Sequence, residues 1–311
     1  MSDLHDLDRR QLIAGLAGTA LAGVVGPAPS AASTAIQAQP FEVKSSDGVV
    51  LRGEARGDVQ APEILLIHGL RQSRLSWVRQ MQDTTLKGFR MVSFDLRGHG
   101  DSDKPDSPDA YRDAGRWADD IASVIEATKL RRPVLVGWSL GGYVAGGYLS
   151  KYGSNKVAGI NLVDAVVRLS PDLLTPLAGT FTETTTSPDL SKRTAATAEF
   201  LQACFNMPPV GDELEQMLVV NGMTPRAVNE GFVKTQLTDL VPVFGAYRGP
   251  ILLTHGAHDR LVRLAMSEIV KAVKADAQLS IFQESGHTPF YEQPERYNRE
   301  LAAFVRSSNA S

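Results

Sequence analysis

The string with the most chemical content is Val134-Leu135-Val136-Gly137-Trp138-Ser139-Leu140-Gly141-Gly142. A short apolar run suited to a buried strand feeds straight into Gly-x-Ser-x-Gly, and a helix-compatible stretch, 143–151, follows. A serine on so tight a strand-to-helix turn holds its hydroxyl clear of the backbone, provided that the residues two before and two after it carry no bulk. Gly137 and Gly141 meet that requirement, and Gly142 adds clearance for packing a helix on a sheet. The free N–H groups opening such a helix favour negative charge developing beside the serine. That combination suits nucleophilic attack on a carbonyl.

A hydroxyl needs a base to take its proton, and the base needs an acid to orient it. Both are expected later in the chain, in the order serine, acid, histidine. The buried-strand pattern at 251–254 runs into His255-Gly256-Ala257-His258-Asp259, and the pattern at 279–282 is followed by Ser285-Gly286-His287. Asp259 and His287 therefore fall on loops at the carboxyl ends of neighbouring strands, on the edge that carries Ser139. Six histidines compete for the role of base. His5 lies in the N-terminal segment, and His68 and His99 precede the serine in glycine-bearing loops. His287 fits best because it alone follows the last strand, and His258 is the rival. Asp164, closing the apolar run 157–163, is the rival acid; its other reading is a cap where the chain leaves that strand.

The elements that must position these residues alternate. Two short strands, 41–44 and 49–53, flank the turn Ser46-Asp47-Gly48. Apolar runs at 64–67, 91–94, 134–136, 157–163, 251–254 and 279–282 suit strands covered on both faces. Helical spacing joins Trp117, Ile121, Val124, Ile125 and Thr128, and likewise Leu261, Ala265, Ile269 and Val273. This predicts an α/β fold with a doubly wound, mostly parallel sheet. Between 163 and 251 no clean strand occurs, whereas 195–204, 212–220 and 225–240 read as helical and the Thr-rich stretch 179–189 as a mobile loop. Residues 39–167 and 248–311 are thus expected to form the core and 168–247 a helical lid, with Trp138, Phe205, Met207, Met217 and Phe232 as candidate pocket residues.

Ahead of the core, Arg9-Arg10-Gln11-Leu12-Ile13 opens an Ala/Gly/Leu/Val run that ends in Pro27-Ala28-Pro29-Ser30-Ala31-Ala32-Ser33. A paired arginine, a short apolar stretch and a small-residue exit describe an export signal over 1–38, resembling twin-arginine signals and removed to leave an exported, periplasmic or extracellular protein. The run is shorter than the roughly 20 residues that a membrane span requires. A chain with 43% hydrophobic and 22% charged residues is an ordinary globular composition, and a net charge of −3 without a basic stripe argues against a nucleic-acid partner. The single cysteine, Cys204, excludes an internal disulfide framework and a multi-thiolate metal site; it reads as a small buried apolar residue.

Taken with Leu66-Ile67-His68-Gly69-Leu70, Asp95-Leu96-Arg97-Gly98-His99-Gly100-Asp101-Ser102 and Gly286-His287-Thr288-Pro289, these motifs resemble the α/β-hydrolase superfamily in order and spacing from Phe41 to Val305. The elbow and Tyr148-Leu149-Ser150-Lys151-Tyr152-Gly153 resemble its cofactor-free haloperoxidase, perhydrolase and aryl-esterase branch. Some of those relatives carry proline two residues after the first His-Gly pair; here that residue is Arg71, a departure from the perhydrolase pattern. Ser139 stands where epoxide hydrolases and haloalkane dehalogenases use aspartate. The resemblance implies an oxyanion hole made by the backbone N–H groups of Leu70 and Leu140, with Asp95, Arg97 and Ser102 bracing a loop. It implies hydrolysis of a small-molecule carboxylic ester through an acyl-enzyme, with neither metal nor organic cofactor. The same residues would serve a carbon–carbon bond hydrolase, a lactonase or a perhydrolase, and the scaffold alone would serve a small-molecule binding protein.

Overall fold

A computed structural model describes residues 37–235 and 238–310, so the export-signal expectation, apart from its last residues, lies outside the described residues. The strands are β1 (Gln39–Lys44), β2 (Val50–Arg56), β3 (Glu63–Ile67), β4 (Arg90–Phe94), β5 (Val134–Trp138), β6 (Gly159–Val163), β7 (Ile251–Gly256) and β8 (Gln278–Phe282). They form one eight-stranded sheet in the order β1-β2-β4-β3-β5-β6-β7-β8. β2 runs antiparallel to both of its neighbours, β1 and β4, and the remaining pairings are parallel. β3, β5, β6 and β7 are buried at every residue, which is why they appear in the sequence as unbroken apolar runs.

The chain steps from β3 to β4 on one side and then crosses back to β5 on the other. Ligands of open α/β sheets bind at such a reversal, outside the carboxyl ends of the strands. The loop after β3 carries Leu70 and the turn after β5 carries Ser139, so this topology brings both to the same crevice.

Helices α1 (Val78–Met81), α2 (Ala114–Ala127) and α3 (Leu140–Tyr152) precede β6. Helices α4 (Pro176–Thr184), α5 (Leu190–Ala203), α6 (Asp212–Gly222), α7 (Arg226–Val233) and α8 (Val241–Ala246) lie between β6 and β7. Helices α9 (Ala265–Val273), α10 (Pro289–Glu292) and α11 (Pro294–Asn309) complete the fold. α2 packs on α3, and α8 packs on α3 and α9, so α8 belongs to the layer covering the sheet. The excursion between β6 and β7 leaves the core at Val167 and returns at Leu240, whose N–H donates to the Val167 carbonyl at 3.0 Å. An ion pair of 3.2 Å between Arg168 and Asp239 ties the same two ends. Among the described residues no helix is long and apolar enough to cross a membrane.

Two local expectations are corrected. The Thr-rich stretch is helical up to Thr184, because Thr175 caps α4 by accepting the Ala178 N–H and Pro176 occupies its first turn. Its threonines satisfy their hydroxyls on the preceding turn: Thr180, Thr182 and Thr184 donate to the carbonyls of Pro176, Ala178 and Thr180. Leu261, in turn, lies ahead of α9. The Asp259 carboxylate accepts the Leu261 and Val262 N–H groups and Val262 pairs with Leu174 in an isolated bridge, which holds this segment extended.

The loop after β4 is braced from within. Arg97 is buried and bonds Asp120, itself fully buried, through two contacts of 2.7 Å, and it reaches Asp47 at the surface. Ser102 donates to the Asp95 carbonyl and accepts the Arg52 N–H, while the Asp95 carboxylate accepts the Arg74 and Asp101 N–H groups. Arg97→Met is expected to destabilise the protein by about 3–5 kcal/mol in denaturant unfolding, because it strands a buried carboxylate. A loss below about 1 kcal/mol would place the pair among ordinary exposed salt bridges.

Candidate active site

Ser139 sits at the β5–α3 turn with φ 53° and ψ −117°, a left-handed backbone that a serine adopts only under constraint. The constraint is packing. A Cβ on Gly137 would lie 2.5 Å from the Gly141 carbonyl oxygen, and one on Gly141 would lie 2.3 Å from that of Ile67. A Cβ on Gly142 would lie 2.3 Å from the Ala165 side chain. The three glycines thus let α3 approach β3 and the chain after β6 closely enough to force the turn. Ser139 N–H donates to Val163 and its carbonyl accepts the Val166 N–H, fixing the corner to the end of β6.

His287 Nδ1 and Asp259 Oδ2 are 2.7 Å apart, and both side chains are almost wholly buried. The other oxygen of Asp259 accepts the Leu261 and Val262 N–H groups at 2.8 and 3.0 Å. Burial alone would raise the Asp259 carboxyl; the His287 imidazole, then His255 and the Val262 N–H, outweigh it and hold the carboxyl below its ordinary value. His287 and Ser139 line one cavity of about 150 Å³, together with Leu70 and Leu140. Among the described residues the N–H groups of Leu70 and Leu140 have no hydrogen-bond acceptor.

The loop carrying His287 is held by residues that the sequence reading did not credit. Trp138 Nε1 donates to the His287 carbonyl at 2.7 Å. Glu292 accepts the N–H groups of Gly286, Asn206 and Met207 at 2.7–2.9 Å, and the Thr288 hydroxyl donates to the Cys204 carbonyl. The glycine before the histidine supplied a signal for this tight loop: a Cβ on Gly286 would lie 2.6 Å from the Asn206 nitrogen.

The rivals fall elsewhere. His258 is exposed. His255 is buried, with Nδ1 against the Ser267 hydroxyl and Nε2 against the Val262 carbonyl. His68 accepts the Leu96 N–H on Nε2 and so donates from Nδ1 to the Gly69 carbonyl; burial pushes its pKa down to about 4, which leaves a neutral structural ring. Asp164 accepts the Gly256 N–H at 2.8 Å and thereby ties the end of β6 to the end of β7. Asp164, His255 and Asp259 offer oxygen and nitrogen atoms within 4.8 Å of one another, the arrangement closest to a metal-ligand set among the described residues. Both His255 nitrogens, both Asp259 oxygens and one Asp164 oxygen already face protein donors or acceptors.

Burial, and then the neighbouring Asp259 charge, raise the Asp164 carboxyl well above its ordinary value, whereas Asp259 is held below its own, so Asp259 is the member of the pair that ionises more readily. A carboxyl raised by folding contributes its stability at low pH and loses it as the pH climbs past the unfolded value of 3.8 toward the folded one. Asp164→Asn, uncharged at every pH, is expected to gain stability over wild type as the pH rises from about 4 to about 8. Unfolding midpoints across that range check it, and a gap that narrows with rising pH would contradict it.

Of the candidate pocket residues, Phe232 lines the Ser139 cavity. Trp138, Phe205 and Met217 instead line a separate cavity of about 70 Å³ with Thr288, Phe290 and Tyr291. Met207 is 76% exposed and faces solvent. The walls that the sequence reading missed are Leu174, Phe181 and Phe200, with Arg71, Thr185 and Asn229. Which face a helix of the excursion turns inward depends on packing, and spacing alone left that open.

Residues 62–294 match the alpha/beta hydrolase fold family, and the chain belongs to it. It is an esterase-type α/β-hydrolase, as its relatives indicate. It is 36% identical to a protein described as an aryl esterase from Burkholderia cenocepacia, with a TM-score of 0.83 over 88% of this chain and 100% of that one. It is 26% identical to the esterase RhEst1 from Rhodococcus sp. ECU1013, with a TM-score of 0.78 over 86% of this chain and 98% of that one. Among curated proteins it is 29% identical to the bifunctional esterase/perhydrolase DCH of Acinetobacter calcoaceticus, over 85% of this chain and 99% of that protein.

Proposed function

We propose that the protein hydrolyses small carboxylic esters through an acyl-enzyme on Ser139. The observation that carries this reading is the 2.7 Å contact between His287 and Asp259, made where His287 shares a cavity with Ser139. In this reading Ser139 Oγ attacks the ester carbonyl while His287 Nε2 takes its proton, and Asp259 holds the imidazole and stabilises its charged form. The Leu70 and Leu140 N–H groups, which have no acceptor among the described residues, receive the oxyanion; one such donor is worth about 10²–10³ in turnover. His287 then protonates the leaving alkoxide, and water repeats the sequence on the acyl-enzyme.

The cavity volume of about 150 Å³ matches that of an interior hole that takes a benzene-sized ligand, which supports short acyl groups. In this reading the lid expected over 168–247 is the part up to residue 239, since α8 packs on α3 and α9, and residues 1–38 act as a twin-arginine export signal. An Arg9-Arg10→Lys-Lys change in a reporter fusion tests the export route, and undiminished export would refute it.

The deciding experiment is a fluorophosphonate probe followed by peptide mass analysis, paired with p-nitrophenyl esters of increasing chain length. The probe is expected on Ser139, with acetate and butyrate esters turned over faster than octanoate. Modification of another residue, or a preference for the longest chain, would overturn the reading.

A further inference from the structure

The cavity beside Ser139 holds a charge that no protein group in it answers. Arg71 follows Leu70 in the loop after β3, is only 3% exposed, and lines the cavity with Ser139 and His287. Its Nε donates to Asn229 Oδ1 at 2.8 Å and its Nη2 to Thr185 Oγ1 at 2.6 Å. The Thr185 hydroxyl in turn donates to the Phe181 carbonyl, so it meets Arg71 purely as an acceptor. The guanidinium carbon stands 4.6 Å from the centre of the Phe200 ring. Every one of these partners is uncharged. Among the described residues Nη1 has no hydrogen-bond partner, and neither Asp nor Glu lines the cavity.

A buried guanidinium without a counter-anion is unfavourable, and apolar side chains of similar volume fill such space at less cost. Unlike lysine, arginine does not escape by shedding its proton. Burial lowers Arg71 to about 10, which still leaves it cationic at neutral pH. Asn229 and Thr185 come from the excursion between β6 and β7 and fix two arms of the fork, leaving the third with its donors free. That is the arrangement of a group waiting for an anionic ligand, since a carboxylate is the strongest common acceptor for guanidinium N–H groups.

We propose that Arg71 is the specificity-determining residue of this site and that the preferred substrate is a short ester carrying a free carboxylate. The carboxylate accepts from Nη1 while the ester carbonyl lies against Ser139. The cavity volume of about 150 Å³, that of an interior hole that admits benzene, suits the short acyl chain of a hemiester of a four- or five-carbon dicarboxylic acid, with the alcohol part outside it. This inference rests on the esterase reading of Ser139.

The test compares kcat/KM for mono-4-nitrophenyl glutarate and 4-nitrophenyl butyrate in wild type, Arg71→Met and Arg71→Lys. Wild type is expected to prefer the glutarate by about tenfold or more, Arg71→Met to lose that preference, and Arg71→Lys to keep part of it. In each variant the neutral ester reports whether the fold and the serine chemistry survive. A third ester, 4-nitrophenyl-free 4-acetoxybutyrate, puts the carboxylate on the alcohol side and shows which half of the substrate Arg71 holds.

Should Arg71→Met fail to fold, calorimetric titration of the Ser139→Ala protein with monomethyl and dimethyl glutarate decides the matter without turnover. The anion is expected to bind about tenfold tighter or better. Equal binding of the two, or a wild-type preference for the neutral ester, would overturn the proposal. Probe labelling of Ser139 separates the two levels: a labelled protein indifferent to carboxylates refutes the role of Arg71 alone. An unlabelled one refutes the esterase reading, while the titration still judges Arg71.

Discussion

Ester turnover is expected to fall by about 10⁴–10⁶-fold when Ser139 is replaced by alanine, with KM little changed. Alanine removes the attacking oxygen and nothing else that binds substrate. The Leu70 and Leu140 N–H groups and the cavity walls remain, so a residual acceleration over water of about 10³-fold is expected to persist. The variant keeps a Cβ at φ 53°, so the turn carries the same backbone constraint and the unfolding midpoint stays close to wild type. Steady-state kinetics on purified protein, with the fluorophosphonate mass shift lost, check this. Turnover within about tenfold of wild type would remove Ser139 from the chemistry altogether.

Almost as large an effect is expected at Asp259. Asp259→Asn retains an oxygen for the Leu261 and Val262 N–H groups but can present an amide N–H where His287 Nδ1 now meets a carboxylate oxygen at 2.7 Å. The imidazole then favours the tautomer with its proton on Nε2, where it cannot accept one from Ser139, and kcat is expected to drop by about 10³–10⁴-fold. Asp164→Asn is the matched control. Asp164 is equally buried and lies in the same cluster, yet its oxygen faces the Gly256 N–H, so turnover is expected within about tenfold of wild type. Activity lost at Asp164 and kept at Asp259 would reverse the assignment of the acid.

The sheet was legible because burial on both faces writes itself into composition. Every apolar run read as a strand contains one, although the run 157–163 begins two residues ahead of β6 and others end early where polar or glycine residues continue the ladder, as at Gly137-Trp138 and His255-Gly256. The positions of the candidate serine and histidine on tight turns were legible because such turns restrict side chains: glycines at Gly137, Gly141 and Gly286 mark where backbone comes within contact of backbone. The cavity wall was far less legible. Phe181 fell in the stretch read as a mobile loop, where helix α4 in fact forms, and Phe205 and Met207 lie just beyond the end of α5, so spacing could not show which aromatic side chains turn inward. Arg71 read as a departure from a motif; its meaning needed the uncharged partners Asn229 and Thr185, far away in sequence.

The stretch between Val167 and Leu240, whose two ends meet, forms a cassette that also ties to the core through the Leu174–Val262 bridge and the Asn206 contact with Glu292. Its ends sit beside the corner carrying Ser139, while the backbone of its Cys204, Asn206 and Met207 helps to hold the loop carrying His287, so an exchange keeps that loop in place only if those contacts are kept. Thr185 and Asn229 travel with the cassette while Arg71 stays behind. A transplanted cassette that keeps those backbone contacts is therefore expected to leave the His287 loop in place while replacing the groups that face Arg71.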